Sequence, residues 1–443
     1  MNVIKRDGQV VPFNIEKIYV AIKKANDATI LKGQEGIRDF DLIKEKIRTY
    51  FSERSELESI EVEKIQDVVE RFLMEEGAYD TAKNYIEYRF LHKLKRDKYN
   101  ELMDMVENKL FGKENDKQNA NIDELSFGGR MGEASRILNK EVALNHMSEM
   151  AKNNHLNNEI YIHDLDSYAA GMHNCMTIPF DDLLKNGFNT RQTDVRPAQS
   201  ANTAGQLVAV IFQLQSLQEF GGVSASHIDW TMVPYIRKSF KKHYIEGLKY
   251  IEGIFSEELF NHIPDDAGIE DEEYKIYDRV YRYAMDMTVK ETYQAVEALF
   301  HNLNTLQSRS GNQLPFTSIN FGTCTLPEGR LFTKAILDTS IKGIGKLHRT
   351  SIFPCTIFQC MKGVNRKEGD PNYDLYLLAL KSTSLRLYPN YCNVDWSVNE
   401  GYDKNDPRTY VSTMGLEILA HVKSLELRSQ VSFLRLMARS SIR

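Results

Sequence analysis

Cysteine is scarce in this chain, with five residues among 443 and no closely spaced set. An odd, scattered group excludes the disulfide framework of a small secreted domain and predicts reduced thiols. No two of them have the C-x-x-C spacing of a zinc site, so the sequence predicts no metal ligands in this chain. Four are predicted to be packing residues: Cys324, Cys355, Cys360 and Cys392.

Long apolar runs and an excess of positive charge are also missing. No stretch approaches the roughly 20 apolar residues of a bilayer span, and the opening MNVIKR has no signal-peptide core. The net charge is -6, from 56 basic and 62 acidic residues without a long basic run, which excludes a general nucleic-acid surface. We therefore expect a cytoplasmic protein with no membrane or nucleic-acid partner.

The length predicts at least two domains, because a single hydrophobic core stops growing at about 250–300 residues. Residues 1–98 predict a small α/β module that opens with a hairpin over 3–13, where Asp7-Gly8 is a strong turn signal. Asn14 is a predicted N-cap for the helix that follows it. Further amphipathic helices are predicted over 39–52, 60–75 and 79–97.

The remainder of the chain alternates helical and strand-like patterns after a polar stretch. Residues 112–118 are poor in apolar side chains, and we predict that 99–118 is a linker. The pattern in residues 119–415 favours an α/β architecture with a barrel-like sheet. Residues 416–443 are predicted to be a tail attached to this domain. Helices are predicted over 133–153, 205–220, 229–262, 283–304 and 331–348, and a strand over 316–321.

The N-terminal hairpin and helix concentrate cations, because Lys5, Arg6 and Lys17 lie close together beside a helix start. Such a cluster suits a triphosphate, although an exposed charged hairpin fits the spacing equally well. The V-x-K-R-D-G opening and the N-x-x-K-I continuation resemble the ATP-cone module of ribonucleotide reductases. The resemblance implies contacts to ATP or dATP from Val3, Lys5, Arg6, Asn14, Lys17 and Ile18, with Gln66 and Lys93 near the places of later contacts.

A series of motifs runs in order through residues 119–415. They are NAN at 119–121, SFGGR at 126–130, YIHDLD at 161–166, GMHNC at 171–175, DVRPA at 194–198, QLVAVIFQ at 206–213, PFTSINFGT at 315–323 and PEGR at 327–330. Together they resemble the anaerobic, class III ribonucleoside-triphosphate reductases. The resemblance implies an ATP-cone followed by an incomplete ten-stranded α/β barrel of the glycyl-radical reductase type.

The resemblance also implies an activity and its partners. The family reduces ribonucleoside triphosphates to deoxyribonucleotides with formate as the reductant, under control of ATP, dATP and other dNTP effectors. A homodimer and a radical-SAM activating protein are implied as well. The stored glycyl radical and a cysteine zinc site belong to the C-terminal part of the family.

Cys175 is the predicted catalytic residue. A cysteine among polar, glycine-rich neighbours is chemically available, whereas one in an apolar run is usually inert. The resemblance implies that Cys175 supplies a hydrogen atom at C2′ of the substrate. A thiol suits this step because its S–H hydrogen can be transferred singly, while a hydroxyl O–H bond is too strong. The alternative is a small buried packing residue.

Other motifs suggest nucleotide contacts that the sequence leaves open. The resemblance implies an effector specificity site served by Arg196, Gln213 and Lys242. A charged loop and an ordinary amphipathic helix explain each of these residues nearly as well. Ser318 and Asn320, at the end of a predicted strand, are candidate contacts to the ribose or phosphates of the substrate.

The resemblance breaks at one position. In the family a cysteine follows the T-M-G motif and becomes the thiyl radical, whereas Leu416 follows Gly415 here. Leucine has no S–H hydrogen, and the glycyl-radical and zinc motifs do not occur in residues 416–443. We therefore expect this chain alone to be an inactive part of a reductase. The alternative is a regulatory fragment that binds ATP and dATP without catalysis, and a formate-lyase relative is disfavoured because it lacks the cone.

Overall fold

The computed structural model describes residues 1–6, 8–54, 56–111, 126–168, 174–190, 192–309, 312–396 and 399–411. The chain divides into two compact units, Met1–Met105 and Val106–Arg443. The polar segment 112–118 and the expected tail 416–443 lie outside the described residues, as do the first three residues of the GMHNC motif.

The first unit combines a three-stranded sheet with helices. Strand β1 pairs antiparallel with β2 and parallel with β3, giving the order β2-β1-β3. The predicted hairpin is confirmed by the pairing of β1 with β2. The elements are β1 (Asn2–Ile4), β2 (Val10–Pro12), α1 (Ile15–Leu31), α2 (Phe40–Ser52), β3 (Ser59–Glu61), α3 (Val62–Glu75) and α4 (Tyr79–Phe111).

Side-chain caps and one core fix these elements. The Asn14 carboxamide oxygen accepts from the Glu16 amide at 2.9 Å and begins α1, as the sequence predicts. Asp39 caps α2 in the same way. The helices pack on the sheet through one buried apolar cluster that includes Val3, Ile22, Ile47, Ile60 and Leu73. This core places the hairpin, the start of α1 and the helix α3 beside one another.

The second unit begins with helices and then alternates strands with helices. The helices are α5 (Phe127–His146), α6 (Glu149–Leu156), α7 (Leu165–Tyr168), α8 (Phe180–Asn186), α9 (Ala201–Ser216), α10 (Ile228–Tyr250), α11 (Glu257–His262), α12 (Asp278–Thr305), α13 (Pro327–Lys342) and α14 (Tyr373–Arg386). The strands are β4 (Met176–Thr177), β5 (Phe188–Asn189), β6 (Asp194–Val195), β7 (Val223–Ala225), β8 (Thr317–Phe321), β9 (Cys355–Cys360) and β10 (Asn390–Asn393).

Five of these strands form a parallel sheet in the order β10-β9-β8-β7-β4. One face is apolar, since Val223, Ile319, Phe321 and Phe358 are buried in the main core against the helices. The α/β class is therefore confirmed. A ten-stranded barrel is not confirmed, because the structure shows a five-stranded sheet within the described residues.

Several expected helices differ from the structure in their bounds or number, among them those observed at Ala201–Ser216, Asp278–Thr305 and Pro327–Lys342. The helix expected over 133–153 is two helices, because Ser148 caps a new helix by accepting from the Ala151 amide. The one expected over 229–262 also divides, at a segment where Gly253 has a φ of +70°. Helix α4 continues to Phe111 instead of ending near 97. No helix in the described part of the chain is long and apolar enough to cross a membrane.

Candidate nucleotide and thiol sites

Arg6 is the centre of a charged network in the first unit. Its guanidinium donates to the Glu63 carboxylate and, at 2.7 Å, to Oε1 of Gln66. Arg89 on α4 donates to the same Glu63 and to Asp67 on α3, the latter at 2.7 Å. The fold thus brings two residues predicted from sequence, Arg6 and Gln66, into direct contact across an interval of 60 residues.

The other residues predicted for the nucleotide lie around this network with different exposure. Lys5 is exposed and donates to Gln9 at 2.6 Å, while Lys17 is exposed in the first turn of α1. Lys93 is exposed one helical turn beyond Arg89. Val3 and Ile18 are buried in the apolar core of the unit. Asn14 is occupied as the helix cap.

The carboxylate in this network is held ionised. Hydrogen bonding from Arg6 lowers the pKa of Glu63 most, burial opposes it, and Arg89 lowers it further. Burial would lower the pKa of Arg89, but the hydrogen bonds that it donates to Glu70, Asp67 and Glu63 raise it. The guanidinium groups of Arg6 and Arg89 therefore share the Glu63 carboxylate, and Arg89 also pairs with Asp67 and Glu70.

Cys175 lies at the amino end of β4 and is held by a glycine turn. The Gly222 amide donates to its sulfur at 3.2 Å, and the thiol approaches Oδ1 of Asn174 at 3.4 Å. Gly221 donates to the Asn174 carbonyl at 2.6 Å. A Cβ at Gly221 would overlap that same carbonyl oxygen, so the turn requires glycine there. The thiol is half-buried, as a reactive thiol should be.

The sheet face that carries Cys175 is polar. The register pairs Thr177 with Ser224, and Ser224 with Ser318. Because side chains alternate along a strand, Cys175 and Asn320 lie on this same face. Ser224, Ser318 and Asn320 are buried, and the Ser224 hydroxyl has no hydrogen-bond partner among the residues that the structure describes. The predicted thiol and the two predicted substrate contacts thus share one polar face.

Arg309 contacts the glycine turn that holds Cys175, and further charged side chains interact with Arg309. Arg309 donates to the Phe220 carbonyl, directly before the glycine turn. Burial lowers the pKa of Arg309, and Arg136 lowers it further, whereas the charges of Asp164, Cys175 and Asp166 act in the opposite direction. Nε of Arg136 lies 3.5 Å from Oδ2 of Asp166. The described surroundings of Cys175 are therefore strongly polar.

Asp229 organises the loop at the carboxyl end of β8. Its side chain is fully buried in the first turn of α10, and Oδ2 accepts from the amides of Gly322 and Cys324 at 2.8 and 2.9 Å. Burial raises the pKa of Asp229, while the two amides oppose this. The loop that links β8 to α13 is thus anchored by one carboxylate.

The residues expected at the effector site do not all lie together within one chain. Arg196 is exposed just before α9, and Lys242 is exposed one turn along α10 from Lys238, whose ammonium lies 3.3 Å from the Ala198 carbonyl. Gln213 lies about 20 Å further along α9 from its N-cap. The structure therefore places Arg196 and Lys242 near one end of α9 and Gln213 near the other.

A buried ion pair lies at the start of α9. Nε2 of His243 lies 2.8 Å from Oε2 of Glu291. The Ser239 hydroxyl donates to Glu291 and accepts from the Ala201 amide. Burial alone would raise the pKa of Glu291, but bonds from His243, Ser239 and the Asn202 amide hold it at about 2. The bond to Glu291 raises the pKa of His243. The pair joins α10 and α12 to the first turn of α9.

We expect Glu291→Gln to lower the free energy of unfolding by about 2–3 kcal/mol in a pH-dependent way. The stabilisation linked to the raised pKa of His243 is complete below the unfolded value of 6.5. It is lost as pH rises through the pKa of the folded state. The stabilisation linked to the lowered pKa of Glu291 is complete above pH 4.5 and is lost as pH falls towards 2.

The difference between wild type and Glu291→Gln should therefore be largest between pH 4.5 and 6.5. Urea unfolding across pH 3–9 measures it. The matched control is Glu297→Gln on the same helix, whose partly exposed carboxylate lies 3.3 Å from Lys342 and should cost below about 0.5 kcal/mol. A difference in unfolding free energy that does not change with pH would contradict a stabilising ion pair between His243 and Glu291.

Sequence reasoning missed several residues of these sites. Arg89 and Glu63 looked like ordinary charges on helical faces, and Arg309 is one of several polar residues in a loop before β8. No local sequence pattern indicates these residues, because they come together through the fold. Arg309 and Phe220, for example, are 89 residues apart in sequence. Among the described residues, no group of three His, Cys, Asp or Glu side chains could hold a metal ion.

The chain combines a small α/β unit, in which two arginines converge on one carboxylate, with a parallel sheet that presents one thiol on a polar face. Comparison with known proteins identifies the family. The ATP cone domain family matches residues 1–94, and the family described as NRDD, anaerobic ribonucleoside-triphosphate reductase, matches residues 118–428. The chain belongs to the anaerobic ribonucleoside-triphosphate reductase family. The second match extends beyond residue 415, where the motifs found by sequence analysis end.

Individual relatives agree with this assignment. The chain is 32% identical over 399 residues to the anaerobic ribonucleoside-triphosphate reductase of Haemophilus influenzae, covering 89% of this chain and 52% of the relative. The Escherichia coli enzyme of the same name is 31% identical over 400 residues, covering 89% and 51%. The chain thus spans about half the length of these relatives. A solved anaerobic ribonucleotide reductase of Thermotoga maritima aligns at a TM-score of 0.43 and 15% identity, covering 70% of this chain and 50% of that one.

Proposed function

We propose that this chain provides the thiol-bearing half of an anaerobic ribonucleoside-triphosphate reductase, with Cys175 as the residue that donates hydrogen at C2′. The observation that carries the proposal is the polar sheet face on which Cys175, Ser318 and Asn320 lie together. Ser318 and Asn320 would contact the ribose or phosphates. The five strands would be part of the ten-stranded barrel of the family.

The proposal includes the partners that the family implies. Formate is the reductant, a radical-SAM protein is the activating partner, and the functional unit is a homodimer in the cytoplasm with Arg196, Gln213 and Lys242 at the effector site. The described residues contain no cluster suited to a metal. The zinc site and the glycyl radical would belong to the C-terminal part of the family, as the resemblance implies.

Substrate protection of Cys175 tests this assignment without requiring turnover. A ribonucleoside triphosphate bound over the polar face should shield the thiol from the alkylating reagent. We therefore expect CTP at about 1 mM, together with dATP, to slow alkylation of Cys175 at least about fivefold. Peptide mass spectrometry follows each cysteine. Cys360, half-buried at the far end of β9, is the internal control. Equal alkylation with and without CTP would exclude a substrate site at Cys175.

We further propose that the first unit binds ATP and dATP at Arg6, Gln66 and Lys93, with Lys5 and Lys17 as additional cations and with Val3, Asn14 and Ile18 shaping the site. Arg6 and Arg89 share the Glu63 carboxylate, which a phosphate could replace, while Asp67 and Glu70 would remain as partners of Arg89. Binding would then exchange one anion for another at the same two cations.

We expect Arg6→Ala to weaken ATP binding at least about tenfold, since a charge-assisted contact to phosphate contributes about 1.5–3 kcal/mol. Titration calorimetry on the full chain measures the affinity. Arg38→Ala is the matched control, because Arg38 is highly exposed and its ion-pair partner among the described residues is the neighbouring Glu35. Unchanged affinity in Arg6→Ala would contradict the site.

A second function is favoured by one sequence observation, the leucine at position 416 in place of the family's cysteine. In that case the chain is a regulatory fragment that binds ATP and dATP and has no catalytic role. Substrate protection of the thiol separates the two functions. Slower alkylation of Cys175 in the presence of CTP supports the thiol-bearing half of a reductase, whereas ATP binding without CTP protection of Cys175 supports the regulatory fragment.

A further inference from the structure

The glycine turn that presents Cys175 is fixed by a distant side chain. Gly221 and Gly222 donate to the Asn174 carbonyl and to the Cys175 sulfur, respectively. The carbonyl of the preceding residue, Phe220, accepts from the Arg309 guanidinium. One arginine therefore controls the position of the turn that holds the thiol.

The loop that carries Arg309 is itself anchored on both sides. The Arg309 amide donates to the Gln313 carbonyl at 3.1 Å. Asn312 donates to the Ser126 hydroxyl at 2.8 Å, and its side chain packs so closely on Gly128 that a Cβ there would overlap it. Ser126 caps α5. The SFGGR motif thus serves to hold this loop in place.

The charge of Arg309 also acts on the thiol. Its side chain is half-buried, and among described groups it interacts electrostatically with Arg136 on α5, with Asp164 and Asp166 beside and within α7, and with Cys175. A partly buried cation is less screened by solvent than an exposed one. It therefore favours the thiolate form of a nearby cysteine, while Asp164 and Asp166 partly offset the charge of Arg309.

We propose that Arg309 is a positioning residue for Cys175, which holds the Phe220–Gly222 turn that presents the sulfur and places a positive charge beside it. Its value for hydrogen transfer at C2′ rests on the proposed function. Its effect on the thiol does not, because thiol acidity is a property of the chain without substrate.

The pH dependence of alkylation tests the proposal on the full chain, without nucleotide. The thiolate is the reacting form, so Arg309→Gln should move the pH midpoint of Cys175 alkylation upward and slow the reaction at pH 7.5 about threefold to tenfold. Arg309→Lys keeps the charge and should retain a rate within about twofold of wild type. Asp166→Asn removes an opposing anion and should move the midpoint downward.

The matched control is Arg386→Gln, because Arg386 also donates to backbone carbonyls, those of Ile341 and Lys342 at the end of α13. Its Cys175 midpoint should equal that of wild type. A wild-type profile in Arg309→Gln, or an equal shift in Arg386→Gln, would overturn the proposal. If the Arg309→Gln chain does not fold, Asp166→Asn provides the test. An upward shift of its Cys175 alkylation midpoint, or no shift, would overturn the proposal. Loss of CTP protection with a normal midpoint shift would instead count against the proposed function alone.

Discussion

Replacing Asp229 with alanine should lower the free energy of unfolding of the second unit by about 3–5 kcal/mol. The carboxylate is fully buried and accepts from the Gly322 and Cys324 amides. Its removal leaves two buried N–H groups without an acceptor, and each costs about 1–3 kcal/mol. The loop that follows β8 would lose its anchor as well.

Tryptophan fluorescence during urea unfolding measures this effect, because the chain has two tryptophans, Trp230 and Trp396, and both belong to the second unit. Asp229→Asn is the matched control. Its carboxamide oxygen still accepts from the loop amides without carrying a buried charge, so the loss should be below about 2 kcal/mol. Equal losses in the two variants would show that charge, and not amide acceptance, is the stabilising property.

Replacing Gly221 with alanine should both destabilise the second unit and disturb Cys175. A Cβ there would overlap the backbone carbonyl of Asn174, which cannot move without displacing the start of β4. Overpacking of this kind costs about 1–3 kcal/mol. The Gly222 amide would no longer meet the sulfur, so the alkylation rate of Cys175 should change severalfold.

The neighbouring substitution Gly222→Ala is the graded control. Its Cβ would lie 3.2 Å from Cδ1 of Phe316, an aromatic edge that can move by a few tenths of an ångström. We expect it to cost less than about 1 kcal/mol. Urea unfolding and Cys175 alkylation report both effects, and a Gly221→Ala chain as stable as Gly222→Ala would mean that the turn is not closely packed.

The match between predicted and observed structure is best where short-range interactions decide it. The helix predicted over 39–52 is observed at Phe40–Ser52, and the Asn14 cap and the hairpin are confirmed. Caps and turns depend on residues within a few positions of each other, so the sequence displays them directly. Helix ends that rest on weaker signals, such as the Ser148 cap, were not predicted because the apolar periodicity runs across them.

The family membership was also available from the sequence, because ordered motifs such as DVRPA and PFTSINFGT are local strings. The roles inferred for Cys175 and for the effector and substrate residues remain predictions. The ten-stranded barrel was an expectation from resemblance, and the described residues form a five-stranded parallel sheet.

The sequence by itself determined the secondary-structure signals, the reduced cysteines and the family. Only the tertiary structure decided which charges meet: Arg6 with Glu63 and Gln66, and Arg309 with the turn before Cys175. Hydrophobic burial drives the packing that joins these residues, and it is proportional to area and has no direction, so no local pattern records which distant side chains it brings together.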